Sequence, residues 1–341
     1  MFSEQNLPKQ FAALEAMVGH TPLLEITMEY KGEHRVVYAK AESYNLSGSI
    51  KDRVAYYMLR KAYLSGEIKA GDCIAEATSG NTGIAFSAMG AALGHPVIIY
   101  MPDWMSMERR NIISSYGAEV RLVSKEQGGF LGSITMTEEL AKQGNVYLPR
   151  QFSNDANLEA HYETTGVEII AQLAAIGKTA DAVVAGVGTG GTVMGIGRRL
   201  RVVNPDCAVF PLEPLNSPTL STGYKVGKHR IQGISDDFIP DILRLNETTG
   251  IVSVDDVDSI RMAQMLSRQL GLGVGISSGA NLLGCLLAGD RIGGDKTIVT
   301  VFADDNKKYL STDYCTEFPQ TPDTMTSQLQ LISVRAIACP H

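Results

Sequence analysis

Apolar strand-like runs alternate with helical patterns along this chain, and the alternation constrains the fold more than any other feature. Cys73–Ala77 reads as a buried strand, Ile84–Leu93 as an apolar helix and Val97–Met101 as the next buried strand. The same rhythm begins again after residue 150, with a strand at Ala182–Ala185 and a helix at Thr192–Val203. Because parallel strands need long crossover connections, this order predicts parallel sheets covered by helices on both faces. We therefore predict an α/β protein with two doubly wound layers and a cleft between them.

The bulk composition excludes several classes of protein. Of the 341 residues, 44% are hydrophobic and 20% charged, and the formal net charge of −7 is spread without a basic stripe, which argues against nucleic acid as a partner. No apolar run approaches the ~20 residues that span a bilayer, and the first residues lack a signal pattern. The five cysteines are scattered without a CxxC pair, so neither a disulfide framework nor a metal site is expected. We expect a cytoplasmic enzyme that binds no membrane.

Lys51 is the first candidate for chemistry. A lysine near the start of a helix is usually a solvated surface residue. The residues before it, Ser47-Gly48-Ser49, are too small to fill a core, however, and leave room for a flat ligand. An amine in such a turn suits imine formation with a carbonyl compound.

The second candidate is the loop at Thr78–Gly83, which follows a predicted strand and opens a predicted helix. Any one of its six small polar or glycine residues could be an ordinary helix cap, but six in succession exceed what capping requires. Backbone N–H groups at a helix start bind anions, and the hydroxyls of Thr78, Ser79 and Thr82 add donors. The loop therefore predicts a carboxylate site, although Asn81 could instead face a ring oxygen of a cofactor.

The third candidate is the segment Gly186–Thr192, which also follows a strand and opens a helix. Its glycines formally match the GxGxxG pattern of dinucleotide sites, and Glu213 is close to the spacing of the acid that such a site needs. The hydroxyls of Thr189 and Thr192 instead suit a phosphate monoester. An amine, a carboxylate loop and a phosphate loop together would hold pyridoxal phosphate (PLP) and an amino acid, whereas an NAD-binding oxidoreductase would leave Lys51 and Thr78–Gly83 without a role.

Several motifs together resemble the cysteine synthase and cystathionine β-synthase family of PLP enzymes, which have the tryptophan-synthase-like fold (fold type II). The resemblance covers about residues 15–315 and is carried by His20–Leu23, Gly48–Arg53, Thr78–Gly83, Gln151-Phe152, His161–Gly166, Gly188–Thr192, Gly275–Gly279 and Tyr309–Thr312. It implies a smaller mobile domain at residues 45–150 and a larger PLP-binding domain at residues 1–44 plus 151–316. Residues 317–341 form a tail of poor periodicity, which we expect at the surface.

The resemblance also implies roles for individual residues. Lys51 would carry the cofactor as an imine and move the α-proton, and Asn81 would bond the ring hydroxyl. The remaining cofactor-binding residues would hold the phosphate, namely Gly188, Thr189, Gly190, Gly191 and Thr192. The substrate would be bound by Thr78, Ser79, Asn81, Thr82, Gln151 and Gly233. The six histidines are interpreted as structural or surface residues, the cysteines receive no catalytic role, and no metal is expected.

Two departures from the family pattern bear on the chemistry. The family usually has a serine near the ring nitrogen, in a Pro-Ser-Ser or Pro-Asp-Ser turn, whereas this chain has Ala303-Asp304-Asp305. We expect Asp305 to replace that serine and to keep the ring nitrogen protonated. Asp237 stands where cysteine synthases commonly have a small residue. An acid there resembles cystathionine synthases, and we expect it to protonate a leaving hydroxide or to activate a water.

The reaction implied is β-replacement on a serine- or cysteine-type amino acid through an aminoacrylate intermediate. Cysteine synthase activity, from O-acetylserine and sulfide, ranks first because the motif set is closest to it. The alternatives are release of hydrogen sulfide from cysteine with water as nucleophile, giving serine, and condensation of serine with a thiol. By analogy with the family, the enzyme is expected to be a homodimer.

Overall fold

The strands of the protein form two separate sheets. The computed structural model describes residues 7–235, 237–319 and 321–340. In these ranges the strands are β1 (Leu23–Tyr30), β2 (Glu33–Ala41), β3 (Cys73–Ala77), β4 (Val97–Pro102), β5 (Glu119–Val123), β6 (Val146–Tyr147), β7 (Ala182–Gly186), β8 (Ala208–Pro214), β9 (Val252–Val254), β10 (Ile298–Phe302) and β11 (Leu329–Ile337). The helices are α1 (Gln10–Glu15), α2 (Lys51–Ser65), α3 (Asn81–Leu93), α4 (Met107–Ser115), α5 (Gly129–Ala141), α6 (Ala156–Ala160), α7 (Gly166–Ala174), α8 (Gly191–Val203), α9 (Thr219–Thr222), α10 (Asp256–Leu270) and α11 (Ile276–Ile292).

The smaller sheet has the order β5-β4-β3-β6, and its strands are parallel. Helix α3 is buried along nearly its whole length, which explains why its sequence is apolar or small on every face. Its glycines permit the close packing: a Cβ atom at Gly90 would lie 2.3 Å from Cγ2 of Val97 on β4. The helix that begins at the Thr78–Gly83 loop is therefore held rigidly on the sheet.

The larger sheet has the order β11-β1-β2-β10-β7-β8-β9. Strands β2, β10, β7, β8 and β9 are parallel, while β1 and β11 form an antiparallel edge. The loops that follow β7 and β10 leave the same edge of the sheet, because carboxyl ends of parallel strands lie together. Ligands of doubly wound sheets bind at that edge.

The predicted fold class is confirmed: both sheets have the parallel strands and crossover helices that the apolar periodicity indicated. The domain boundaries stay a prediction, although the strands of the smaller sheet all lie between residues 45 and 150. The tail holds β11, which pairs with β1 along its length. The pairing register between β1 and β11 shifts at Thr27/Met28. This shift interrupts the alternation of buried and exposed residues along β11, the pattern from which a strand is predicted.

No helix in the described parts of the chain is both long and apolar enough to cross a membrane. All five cysteines are free thiols. In the same described ranges, no three His, Cys, Asp or Glu side chains cluster as metal ligands.

Candidate active site

A pocket lies where the carboxyl ends of the two sheets face each other. The smaller-sheet side and the adjoining turn contribute Lys51, Thr78, Ser79, Gly80, Asn81, Thr82 and Gln151. The larger-sheet side contributes Gly188, Thr189, Gly190, Thr192, Gly233 and Ser277. The structure thus brings together almost all of the residues that the sequence selected, although they run from Lys51 to Gly233, 182 residues apart.

Lys51 is the first residue of α2, and the turn before it is fixed from two sides. The buried carboxylate of Asp52 accepts hydrogen bonds from the backbone N–H and the hydroxyl of Ser47, at 2.8 and 2.5 Å. On the other side, Ile50 N–H donates to the carbonyl of Ala303, at the end of β10, at 2.9 Å. The amine is therefore carried by a rigid turn that is tied to the larger sheet.

A buried ionic network surrounds Arg53, which follows Lys51 by two residues in α2. Arg53 is 1% exposed, and its guanidinium donates to both carboxylate oxygens of Glu42 and of Glu168, at 2.6 to 2.9 Å. Lys40 adds a second cation, 2.6 Å from Glu168. Burial alone would raise the pKa of Glu168, but the bonds and charge of Arg53, with Lys40, lower it to about 2. Two cations and two anions therefore balance at the base of the Lys51 turn.

The Thr78–Gly83 loop is braced by its own side chains and by Gln151. Thr78 Oγ1 accepts from Gly80 N–H at 3.0 Å. The Gln151 amide oxygen accepts from the Thr82 hydroxyl at 2.6 Å, and its NH₂ group donates to the carbonyl of Ala77 at 2.9 Å. Thr82 and Gln151 thus hold the loop in shape, and backbone N–H groups at a helix start such as that of α3 generally bind anions.

The turn Gly188–Thr192 packs so closely on its neighbours that its glycines leave no room for a side chain. Gly190 has φ of +86°, which favours glycine, and a Cβ atom at Gly188 would lie 2.5 Å from the carbonyl oxygen of Gly233. At Gly191 a Cβ would lie 2.2 Å from Asn157 Oδ1. Asn157 in turn donates to Thr189 Oγ1 at 2.9 Å. The turn leads into the 13 residues of α8, so bare backbone N–H groups at a helix start face the pocket.

His161 is a buried residue next to this turn that the sequence analysis took for structural or surface. Its Nε2 lies 3.2 Å from Thr192 Oγ1 and its Nδ1 lies 3.0 Å from Thr165 Oγ1. Burial, and then the positive charges of Lys51 and Arg53, lower the pKa of His161 well below its usual value. The ring is therefore neutral. The sequence feature that could have identified His161 is its place in the His161–Gly166 motif. Residues His161–Thr165 form a π-helical turn, and such turns are frequent at functional sites.

The structure places Asp305 differently from the prediction. Its carboxylate accepts from Lys307 N–H at 3.1 Å and so caps a 3₁₀ turn instead of lining the pocket. Asp304 is the carboxylate that turns inward: it is fully buried and accepts from the Asn81 NH₂ group at 2.8 Å and from the Tyr309 hydroxyl at 2.7 Å. Ser277, at the start of α11, also lines the pocket and had received no role.

Asp237 lies in an outer cavity of about 420 Å³, which shares Ser79, Gln232, Gly233 and Ile234 with the inner pocket. Its side chain is 45% exposed and pairs with Lys225. Asp236 lies outside the described residues. Gly233 has φ of +90°, and the loop is tied to the larger sheet because Ser235 N–H donates to the carbonyl of Val187 at 2.7 Å. Asp237 therefore stands at the entrance to the pocket.

Arg109 is a further pocket residue that no sequence pattern singled out. It lies on α4 and is 3% exposed, with its guanidinium 4.9 Å from the ring centre of Tyr309. It also donates to the Gln232 amide oxygen. Arg109 therefore joins the smaller-sheet side to the larger-sheet side across the pocket.

Residues 14–304 match the family described as pyridoxal-phosphate dependent enzyme. The chain belongs to this family. Its cofactor is therefore pyridoxal 5'-phosphate, whereas the role of Gly186–Thr192 in holding its phosphate stays a prediction. The glycine turn, which lines the pocket at the start of α8, and the buried Asn81 Oδ1, which has no partner among the described residues, both fit that cofactor.

The resemblance to cysteine synthases is also confirmed. A probable cysteine synthase of Bacillus subtilis is 42% identical over 298 residues, which is 87% of this chain and 95% of that protein. The crystal structure of a hydrogen sulfide-producing enzyme from Fusobacterium nucleatum has a TM-score of 0.94 at 57% identity, over 97% of this chain and 99% of that one. An aspartate-to-asparagine mutant of a hydrogen sulfide-producing enzyme, complexed with an alpha-aminoacrylate intermediate, has a TM-score of 0.93. The chain is thus an enzyme of the cysteine synthase family.

Proposed function

We propose that this enzyme catalyses β-replacement on L-cysteine, releasing hydrogen sulfide and forming serine with water as the nucleophile. The observation that carries the choice is the carboxylate of Asp237 at the pocket entrance, where a water or a leaving group passes. The 57% identity to a hydrogen sulfide-producing enzyme supports the same direction. Synthesis of cysteine from O-acetylserine and sulfide, which ranked first on the motifs, is the second candidate and is favoured by the 42% identity to a probable cysteine synthase.

Lys51 is assigned to hold the cofactor and to move the substrate α-proton with its amine. PLP, when bound, supplies an electron sink for the negative charge that develops at the α-carbon. Gly188, Thr189, Gly190, Gly191 and Thr192 would hold its phosphate, and Asn81 would contact the ring hydroxyl. These assignments rest on the pocket that these residues line or border.

The substrate carboxylate is assigned to the start of α3. The backbone N–H groups there, with the hydroxyls of Thr78 and Ser79, form an anion site at the positive end of a 13-residue helix. Thr82 and Gln151 act by bracing this loop, because their polar groups bond to each other and to Ala77. Gly233 would border the substrate from the opposite wall.

Asp237 is assigned to take a proton from the attacking water. It is followed by Phe238. The ring centre of Phe238 lies 5.1 Å from the ring centre of Phe152 and 6.4 Å from that of Phe130 on α5. These rings join the Asp237 loop to the smaller-sheet side. Their apolar surface would exclude bulk water from the pocket while the carboxylate handles a single one.

Product identification tests the proposal. The purified enzyme would be given cysteine alone, O-acetylserine with sulfide, or serine with a thiol, and the amino-acid products and sulfide would be measured. Serine and sulfide from cysteine are expected at the highest rate. If cysteine is returned unchanged while O-acetylserine is converted rapidly, the second candidate replaces the first.

Two variants test the role of Asp237. Asp237→Ala is expected to slow chemistry that uses water or hydroxide more than chemistry in which acetate leaves, by ~10²-fold or more for the former. Asp241→Asn, at an exposed carboxylate of the same loop, is the matched control and should leave both rates unchanged. Equal losses in both reactions on Asp237→Ala would show that Asp237 is structural.

We also propose that the enzyme is a cytoplasmic homodimer, as is usual for this family. The bacterial relatives and the absence of a membrane-spanning helix in the described residues are compatible with that. Light scattering of the purified protein would test the assembly, and a monomeric mass would contradict it.

A further inference from the structure

Asp304 carries an arrangement of hydrogen bonds that the proposed roles leave unexplained. Its carboxylate is fully buried at the end of β10, and one oxygen, Oδ2, accepts both the Asn81 NH₂ group at 2.8 Å and the Tyr309 hydroxyl at 2.7 Å. Its backbone carbonyl accepts from Gly275 N–H at 3.1 Å, at the start of α11. The Asp304 carboxylate therefore contacts two residues that line the pocket, Asn81 and Tyr309, without lining the pocket itself.

The carboxylate decides which way the Asn81 amide faces. An ionised carboxylate only accepts hydrogen bonds, so the NH₂ end of Asn81 must point to Asp304. The reversed amide would bring two acceptor oxygens together in a buried site, which is costly. Asn81 Oδ1 is buried and has no hydrogen-bond partner among the described residues, and Asn81 lines the pocket. A serine at this position, with a hydroxyl that both donates and accepts, would impose no such orientation.

Tyr309 reinforces the arrangement. Burial, and then the charge of Asp304, raise the pKa of Tyr309 well above its usual value, so its hydroxyl stays protonated and donates. The Arg109 guanidinium on the Tyr309 ring extends this chain of contacts to the smaller-sheet side. The Asn81 amide is thereby connected through Asp304 to groups on both sides of the pocket.

We propose that Asp304 is a positioning residue, which fixes the Asn81 amide in the one orientation that meets the ring hydroxyl of the cofactor. The proposal rests on the assignment of Asn81 to that hydroxyl, a part of the proposed function, and does not depend on which β-replacement the enzyme catalyses. It gives the carboxylate a role on the hydroxyl side of the ring, instead of the ring-nitrogen role expected for Asp305.

Two readouts besides activity test it: the absorption band of the bound cofactor without substrate, and the dissociation constant of the cofactor from the holoenzyme. Asp304→Asn keeps the shape but lets either amide rotate, and Asp304→Ser introduces the residue that the Pro-Ser-Ser turn has at this position. Both are expected to shift the band and to weaken cofactor binding by about tenfold or more, the effect typical of a lost charge-assisted hydrogen bond. Asp305→Asn, at the neighbouring capping carboxylate, is the control and should change neither.

A double-mutant cycle separates positioning from a general structural role. If Asp304 acts through Asn81, the double variant Asn81→Ala with Asp304→Asn should bind the cofactor no more weakly than Asn81→Ala alone. Losses that simply add would overturn the proposal, as would an unshifted band in both Asp304 variants. An Asn81→Ala variant with unchanged band and affinity would instead remove the Asn81 assignment, while the product assays above would still decide the reaction.

Discussion

The buried imidazole of His161 lies with Nε2 3.2 Å from the hydroxyl oxygen of Thr192, the residue that ends the glycine turn. A neutral imidazole has one donor and one acceptor nitrogen. If the Thr192 hydroxyl donates to a phosphate oxygen, its own oxygen must accept from Nε2–H, and Nδ1 must then accept from the Thr165 hydroxyl, 3.0 Å away. The Thr165 hydroxyl, which can donate, satisfies Nδ1 in this tautomer, and Thr192 is then free to donate to the phosphate.

His161→Phe is therefore expected to weaken cofactor binding by roughly tenfold, because a buried hydrogen bond at the glycine turn is lost. Thr165→Val, which removes only the hydrogen bond to Nδ1, should also weaken cofactor binding, but by a smaller factor. Titration of the apoenzyme with PLP, followed by absorbance, measures both. An unchanged dissociation constant in His161→Phe would show that the imidazole only fills space.

Lys51→Ala is expected to abolish turnover and the absorption near ~410 nm that a protein imine with PLP gives. The cofactor should still bind through the glycine turn, more weakly. Lys61→Ala, at an exposed lysine later in the same helix, is the matched control and should keep both the band and the activity. A Lys51 variant that retained the band would end the assignment of the imine to this residue.

The parts of the site that the sequence predicted are those in which local chemistry decides the outcome. Thr78–Gly83 and Gly188–Thr192 each combine a strand end, small residues and a helix start, and these features depend on near neighbours in the chain. Lys51 follows the same logic. The roles of these residues stay predictions, but their convergence on one pocket is a property of the fold.

Other features depend on distant contacts and could not be read locally. Asp304 and Asp305 are adjacent acids, but in the folded protein Asp304 pairs with Ser49 and is buried, whereas Asp305 pairs with Val274 and is partly exposed. His161 acquires its place from α8, since a Cβ at Gly195 would lie 2.7 Å from the His161 Cβ. In the tail, β11 has no hairpin partner nearby, because it pairs with β1 about 300 residues earlier.

The Arg53 network predicts a strong dependence of stability on Glu168. Glu168→Gln leaves a buried guanidinium with too few anions and is expected to lower the free energy of unfolding at pH 7 by about 3–5 kcal/mol. Because the pKa of Glu168 is lowered from 4.5 to about 2, its stabilising effect is present above pH 4.5 and is lost as the pH falls towards 2. The difference between the two proteins should therefore shrink below pH 4.5.

Urea unfolding at several pH values measures this difference. Glu163→Gln, at an exposed glutamate of the neighbouring turn, is the matched control and should change the free energy of unfolding by less than about 0.5 kcal/mol. A Glu168 variant no less stable than that control would contradict a structural role for the network below Lys51.

Glu76 predicts the opposite dependence on pH. Its carboxyl is buried at the end of β3, and loss of solvation raises its pKa to about 8, despite hydrogen bonds from the backbone N–H groups of Ala77 and Gln151. A raised pKa means that the folded protein binds the proton more tightly than the unfolded chain. Stability is therefore fully present below about pH 4.5 and is lost as the pH rises towards 8.

Glu76→Gln removes this loss, because an amide cannot ionise. The variant should gain stability relative to the native protein by about 1 kcal/mol for each pH unit from 5 to 8, with no further gain above pH 8. Glu67→Gln, at an exposed glutamate just before β3, should show no such trend. Thermal unfolding followed at pH 5, 6.5, 8 and 9 measures the difference, and a constant gap across this range would mean that Glu76 is ionised in the folded protein throughout.

Ionisation of Glu76 should also affect the Thr78–Gly83 loop, because Gln151, which braces that loop, donates its backbone N–H to the Glu76 carboxyl. The substrate KM of cofactor-loaded enzyme should therefore change over the same pH interval, and Glu76→Gln should abolish that change.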